Sequence, residues 1–198
     1  MKIKWFPLIA FTVPAVLTAF SAAMPANAFE KPEMSVEIDP GKPKYIHRNK
    51  LFPCSHGVNH GGGCTRVYFY AELHGTEMTW DGAFKKIKLR IGLRDVEVEL
   101  SSDLKKKTCL FDAVLKHELT HLALHRRILK RFAPEIAKAV LSVAQEQEPP
   151  VTQAQFNRIS NVLSNYVDRM MKEDEKQNAL MDTTEAYRYQ QEQCRNGR

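Results

Sequence analysis

The stretch that decides the fold runs from residue 110 to residue 128 and reads LFDAVLKHELTHLALHRRI. Its apolar residues and two of its histidines return every three or four positions, which is the period of an α-helix with one buried face. The residues on that face are Leu110, Val114, His117, His121, Leu124 and Ile128. The pattern predicts one long helix that ends before Pro134, because proline lacks the amide hydrogen that a helix interior needs.

The sequence before this helix has the pattern of strands and turns. From residue 29 to about residue 100, β-branched and aromatic runs alternate with turn residues, which predicts a small antiparallel or mixed sheet. Apolar residues alternate within Ile87–Leu93 and again within Val96–Leu100. The alternation changes parity across Gly92–Asp95, which indicates either a turn or a bulge between two half-buried strands.

The sequence after residue 100 is mainly helical. A short helix is expected over Pro134–Glu146, and a third helix begins at Thr152, which forms a capping box with Gln155. Asp182 followed by Glu185 has the same pattern and opens a last helix. The predicted fold class is therefore α+β, with a small N-terminal sheet followed by a helical half that carries the central motif.

The first 28 residues are typical of an export signal. Lys2 and Lys4 precede an apolar run, and Ala26–Ala28 forms a small-residue cleavage pattern. We therefore expect a single domain over residues 29–198 in the periplasm or outside the cell, with no stable membrane anchor after cleavage. The formal net charge of +6 falls to about +4 when the two lysines are removed. Such a mild charge argues against a nucleic-acid partner.

Four cysteines lie in the exported part of the chain. An even number of cysteines in an oxidising compartment favours two disulfides, for which three pairings exist. Near neighbours in a short loop meet most readily. This favours the pairing of Cys54 with Cys64, which leaves Cys109 to bond with Cys194.

Residues 117–121 read HELTH, an H-E-x-x-H pattern inside the predicted helix. Two histidines four residues apart lie on one helix face about 6 Å from each other, so both imidazoles can reach a single Zn²⁺ ion. Glu118 can orient a water on that metal and take its proton as the water attacks a polarised carbonyl. Because His117 and His121 fall on the apolar stripe, the pattern favours a metal site over a solvated surface.

With this motif the chain resembles the zincins, a large class of zinc metallopeptidases. Its signal and size make it similar to small secreted bacterial proteins of that type. The resemblance covers the motif helix and, more loosely, the sheet before it. It implies that His117 and His121 bind zinc, that Glu118 is the general base, and that an edge strand within Ile87–Leu100 pairs with an extended peptide substrate.

A catalytic zinc needs a third protein ligand. The metzincin continuation is absent, because Leu124 and Arg127 stand where its glycine and third histidine belong. His125 lies about 12 Å along the helix axis from His117, too far for one ion. A glutamate on a later helix resembles the gluzincin arrangement, which points to Glu185, although the usual N-E-x-x-S-D signature is missing.

Cysteine spacing supports the choice of Glu185. Cys109 precedes His117 by eight residues, and Cys194 follows Glu185 by nine. If those cysteines are bonded and their helices are antiparallel, Glu185 lies level with the two histidines. Glu185 could instead only cap its helix. The alternative ligands are Asp182, Glu173, His56 and His60, and the last two could also belong to a structural metal site in their glycine-rich loop.

The sequence thus predicts an exported zinc-dependent peptidase that acts on peptides or proteins of the cell envelope. Tyr189 and Arg188 share a helix face with Glu185 and are candidates for stabilising the oxyanion of a tetrahedral intermediate. Two alternatives stay open. One is a non-catalytic binding or scaffolding protein of the envelope with a structural or vestigial metal. The other is an amidase that acts on cell-wall peptides by the same chemistry.

Overall fold

The computed structural model describes residues 31–49, 62–146 and 149–196, which form four strands followed by three helices. The predicted α+β fold is confirmed. The export signal, Cys54, His56 and His60 lie outside the described residues. No helix in the described ranges has the length and apolar character needed to cross a bilayer. The elements are β1 (Glu33–Asp39), β2 (Lys44–Arg48), β3 (Gly63–Met78), β4 (Phe84–Ser101), α1 (Cys109–Gln145), α2 (Gln153–Met181) and α3 (Thr184–Asn196).

The sheet is mixed, and β4 is its central strand. β3 pairs with β4 in antiparallel fashion along almost its whole length. On the other side of β4, β1 and then β2 run parallel to it, opposite Lys86–Gly92 and Glu97–Ser101 respectively. The expectation of an edge strand within Ile87–Leu100 is therefore wrong, because β4 pairs with β3 on one side and with β1 and β2 on the other. In the described part of the chain, β3 is an edge strand that approaches the motif helix at Glu118.

The predicted change of parity in β4 is a bulge and not a turn. Arg66 of β3 faces Glu97, whereas Tyr68 faces Arg94, so β4 carries one residue more than β3 between these pairs. Asp95 adopts a φ of 51° there. An extra residue resets the alternation of a strand. Both halves of β4 can therefore bury their apolar side chains, as the burial of Ile87 and Val98 shows.

The motif helix is longer than predicted, because α1 continues through Pro134 to Gln145. A proline inside a helix leaves the carbonyl four residues earlier, here that of Lys130, without its usual partner. Both Pro134 and Lys130 are exposed, so water can satisfy that carbonyl. Ala133 and Ile136 continue the buried stripe on the opposite face. The separate helix expected over Pro134–Glu146 is thus the second half of α1.

Helices α1 and α2 both pack on the sheet, while α3 contacts α1. The core lies between these layers and contains Ile87, Leu89, Ile91, Leu129, Ile136, Ile159, Leu163 and Met170. Thr152 caps α2 as predicted, since its side chain accepts a hydrogen bond from the Gln155 amide. The Gln155 side chain does not complete a capping box. Its Nε2 instead donates to the carbonyls of Val143 and Ala144, each at 3.2 Å, at the end of α1.

Replacing Gln155 with leucine is expected to lower the free energy of unfolding by about 1–3 kcal/mol, because two buried carbonyls lose their donor. Gln155 is only 1% exposed. Gln153, which is exposed on the same helix, is the matched control, and Gln153→Leu should change stability by less than about 0.5 kcal/mol. Urea denaturation measures both. Equal effects of the two changes would contradict the role given to the Gln155 amide.

Candidate metal centre

Two imidazoles and one carboxylate converge between α1 and the end of α2. The Nε2 atoms of His117 and His121 lie 2.9 Å apart, and Oδ1 of Asp182 lies 2.9 Å from each of them. All three side chains are almost fully shielded from solvent. We call these three residues the His–Asp cluster. In the described ranges it is the group of histidine, cysteine and acidic side chains whose geometry could hold a metal ion.

The cluster is one end of a polar ladder between two antiparallel helices. Residues four apart on a helix lie one turn above each other on the same face. His117, His121 and His125 of α1 follow this spacing, and so do Asp174 and Asn178 of α2, together with Asp182, the residue that ends α2. The pairs run in opposite order along the two helices, with His125 on Asp174, His121 on Asn178 and His117 on Asp182.

Asn178 sets the tautomer of His121, and so determines that its Nε2 presents a lone pair to the cluster. Nδ2 of Asn178 donates to the carbonyl of Asp174 at 2.9 Å, which turns its Oδ1 toward Nδ1 of His121 at 2.6 Å. Because an amide oxygen only accepts, Nδ1 must carry the proton. Neutral His121 therefore presents an unprotonated Nε2 to His117 and Asp182, which is the form that a metal requires.

A bound cation would account for the close neighbours of His117 Nε2 better than hydrogen bonds alone. Its Nε2 lies 2.9 Å from His121 Nε2, 2.9 Å from Asp182 Oδ1 and 3.1 Å from the Tyr187 hydroxyl. One ring nitrogen can make a single good hydrogen bond as a donor or acceptor. A tetrahedral zinc with bonds of about 2.0–2.1 Å spaces its ligand atoms roughly 3.3 Å apart. Slight outward movement of the three donor atoms would therefore accommodate the ion.

The charges of the cluster also suit a divalent cation. Burial tends to raise the pKa of Asp182, but hydrogen bonds from His117 and His121 outweigh it and hold that pKa well below its ordinary value. Burial tends to lower the pKa of His121, but its hydrogen bonds with Asp182 and Asn178 raise it overall. The carboxylate therefore stays ionised, and a metal would replace a proton on the imidazoles.

Glu118 is positioned by the edge strand β3. The hydroxyl of Thr65 lies 2.9 Å from its Oε2 and 3.0 Å from its backbone oxygen. A Cβ atom at Gly63 would come within 2.8 Å of Glu118 Cγ and 2.9 Å of Val114 Cγ1, so any larger residue would force these buried side chains to shift. Burial raises the pKa of Glu118, and the nearby His121 offsets only part of that rise, so the pKa lies above its ordinary value. A carboxylate that binds protons more readily suits the role of a base.

Tyr187 of α3 completes the surroundings of the cluster. Its hydroxyl lies 3.0 Å from Asp182 Oδ1 as well as near His117. Burial, and then the charge of Asp182, raise the pKa of Tyr187, so the hydroxyl keeps its proton. The helix that carries Tyr187 is tied to the start of α1 by the Cys109–Cys194 disulfide, with Cα atoms 5.5 Å apart. The structure thus contains this long-range pairing that the sequence favours.

The second predicted disulfide lies partly beyond the described residues. Cys64 is disulfide-bonded, and it is almost fully buried near the start of β3. Cys54, its predicted partner, is outside the described ranges, as are His56 and His60.

The carboxylate that lies beside the two histidines is that of Asp182 and not that of Glu185. The side chain of Glu185 is exposed. Asp182 ends α2 and does not cap α3, which begins at Thr184. The register of α2 on α1 therefore brings Asp182 to the two histidines. The alignment inferred from the cysteine spacing, which placed Glu185 level with them, does not hold. Glu173, another alternative, bonds to Arg131 and Gln177 away from the cluster.

The predicted oxyanion residues are not the ones at the cluster. Tyr189 and Arg188 are both exposed, whereas the neighbouring Tyr187 is buried against His117. Sequence reasoning also missed Asn178 and Thr65. A signal for Asn178 exists, because the apolar stripe of α2 ends at Met170 and continues at the same spacing with polar residues. No comparable pattern indicates Thr65, whose role comes from the approach of β3.

Comparison of the chain with protein-family models, with curated proteins and with solved structures finds no match. The resemblance to zincins therefore rests on the H-E-x-x-H motif alone.

Replacing Asp182 with alanine is expected to weaken zinc binding by more than about 100-fold, since loss of a ligand should exceed the effect of losing an outer partner. Glu185→Ala removes a carboxylate three residues away whose side chain is exposed, and it should leave affinity unchanged. Competition with a chromophoric chelator measures both. A loss in Glu185→Ala with none in Asp182→Ala would restore Glu185 as the ligand.

The buried pair of His125 and Asp174 should contribute to stability. Nδ1 of His125 lies 2.5 Å from Asp174 Oδ1, and both residues are buried. His125→Leu leaves the Asp174 carboxylate unpaired and should cost about 3–5 kcal/mol of unfolding free energy. The double variant His125→Leu with Asp174→Leu should recover most of this loss, as denaturation curves can show. A double variant no more stable than His125→Leu alone would contradict the pairing.

Proposed function

We propose that the protein is a zinc-dependent peptidase. The observation that carries the proposal is the convergence of His117, His121 and Asp182 beside a buried glutamate, Glu118. Three protein ligands leave one position of a tetrahedral ion open, as in catalytic zinc sites. The predicted signal and the disulfide between Cys109 and Cys194 support action outside the cytoplasm, where peptides and proteins of the envelope would be substrates.

When bound, zinc would lower the pKa of a water and polarise a carbonyl at the open position. Glu118 would accept the proton of the attacking water and then pass it to the amine that leaves. The Tyr187 hydroxyl, which keeps its proton and donates a hydrogen bond to Asp182 Oδ1 at 3.0 Å, would hold that carboxylate in place beside the ion. Asn178 would hold His121 in the tautomer that binds the ion.

The resemblance to zincins supports a peptide as the substrate. Strand β3 runs past the base, since the Thr65 hydroxyl donates to Oε2 of Glu118. An amidase of cell-wall peptides would use the same atoms as a peptidase, so substrate tests separate the two.

A structural metal site is the second candidate. His117 and His121 are only 7% and 5% exposed, and structural zinc sites are typically closed to solvent. In that case the protein would bind or organise other envelope components without hydrolysis. Removal of zinc would then lower stability, while the protein would cleave no peptide in the presence of zinc.

Replacing Glu118 with glutamine is expected to reduce peptide hydrolysis about 100- to 10,000-fold, because the general base is lost. The zinc content should stay near one ion per chain, since the ligands are unchanged. Cleavage of a mixed peptide library, followed by mass spectrometry, measures activity. Metal analysis of the same samples measures zinc.

The control is Glu175→Gln, which makes the same change at an exposed residue of α2 and should leave hydrolysis unchanged. Hydrolysis that survives in Glu118→Gln would refute the mechanism. A zinc-loaded protein that cleaves nothing, yet unfolds at lower temperature after chelation, would favour the structural site.

A further inference from the structure

The exposed face of α1 carries basic side chains and no acidic ones over much of its length. Residues that recur every three or four positions form one stripe on a helix. From Lys116 to Lys138 such a stripe is exposed to solvent, and it spans about 33 Å at a rise of about 1.5 Å per residue. We call its charged members the basic stripe, which consists of Lys116, Arg127, Lys130, Arg131 and Lys138.

Acidic residues do not offset the basic stripe. Within the same length of α1, Glu118 is buried, and Glu135 lies at the margin of the stripe, where it accepts a hydrogen bond from Arg169 of α2 at 3.3 Å. Arg131 pairs with Glu173 of α2 at 3.3 Å. Among the residues that the structure describes, the other four members of the stripe have no acidic partner within 4.0 Å.

The charge imbalance of the regular elements belongs to α1. Strands β1–β4 together contain eight basic and eight acidic residues, with histidine not counted. Helix α2 contains four of each kind, and α3 contains two of each kind. In α1 there are six basic residues and three acidic ones. The excess positive charge therefore lies on one helix, and mostly on its exposed side.

We propose that the basic stripe holds the protein on an anionic phospholipid surface. A cluster of about four to eight Lys and Arg residues on one helix is typical of binding to anionic headgroups. The stripe contains no aromatic side chain on which the bases of a nucleic acid could stack. Because the apolar face of α1 packs on the sheet, binding would use charge alone and would not insert the helix into the bilayer. The predicted export signal would bring the chain to a compartment bounded by membranes.

Docking by this face would keep the His–Asp cluster close to the membrane. Lys116 directly precedes His117, and a helix with its side chains is about 10–12 Å across, so the headgroups would lie roughly that far from the cluster. The inference does not depend on zinc or on hydrolysis, because no member of the basic stripe belongs to the cluster.

The test is sedimentation of the protein with lipid vesicles. The chain is used in the form expected after export, residues 29–198, which contains every element of the fold. Vesicles of phosphatidylcholine with about one third phosphatidylglycerol should bind it at least about tenfold more strongly than vesicles of phosphatidylcholine alone. This binding should be lost in about 0.5 M salt, because salt screens exposed charges.

A triple variant tests the stripe itself, and a second one controls for total charge. Changing Arg127, Lys130 and Lys138 to Gln should weaken binding to the phosphatidylglycerol vesicles at least about 30-fold, since each basic residue near the surface contributes about fivefold. The control makes the same loss of one Arg and two Lys on the strands, and it should weaken binding less than about threefold. Its substitutions are Lys44→Gln, Lys85→Gln and Arg94→Gln.

Both triple variants should unfold at the same temperature as the unchanged protein, because all six side chains are exposed. Three results would overturn the inference. The first is binding that phosphatidylglycerol does not strengthen, and the second is an equal loss in the two variants, which would show that total charge decides. The third is binding to soluble polygalacturonate with none to vesicles, which would assign the stripe to a linear anionic polymer. None of these results involves the metal, so each leaves the proposed function standing.

Discussion

The register of α2 against α1 is the constraint on which the candidate site depends. Three polar pairs, one turn apart, bring Asp182 to the two motif histidines and Asn178 to the outer nitrogen of one of them. A slip of one turn moves α2 by about 5.4 Å. If that slip brought Asn178 to His117, Asp174 would face His121, and Asp182 would no longer lie against both imidazoles. The position of α2 along α1 must therefore be fixed to much less than one helical turn.

Apolar packing supplies that accuracy. The stripe of α2 that ends in the ladder begins with Ile159, Leu163 and Met170, all buried in the core. Close-packed side chains resist sliding because a shift would open voids and create overlaps elsewhere. Polar groups by themselves gain little from burial, since they lose water in exchange for their new partners. Packing of the core thus sets the register of α2 on α1. That register brings the charged and polar side chains of the two helices together.

Much of the fold and half of the candidate site can be predicted from local patterns. The spacing of apolar residues around HELTH predicts the motif helix, and the parity change in β4 predicts either a turn or the bulge that the structure has. Pro134 was misleading because exposure of the freed carbonyl, which decides whether a proline breaks a helix, depends on tertiary packing. The same holds for the edge strand, since pairing partners in a sheet are long-range. The sequence favours Glu185 through the cysteine spacing, and only the packing of α2 on α1 shows that Asp182 is the carboxylate beside the histidines.

The Cys109–Cys194 disulfide has a consequence for the chain before it folds. The bond joins residues 85 positions apart, and all three members of the His–Asp cluster fall between them. In the oxidised but unfolded polypeptide these side chains already belong to one covalent ring, so fewer arrangements keep them distant from one another. Part of the conformational entropy that is lost when the three side chains come together is therefore already lost when the disulfide closes the ring, before the helices form.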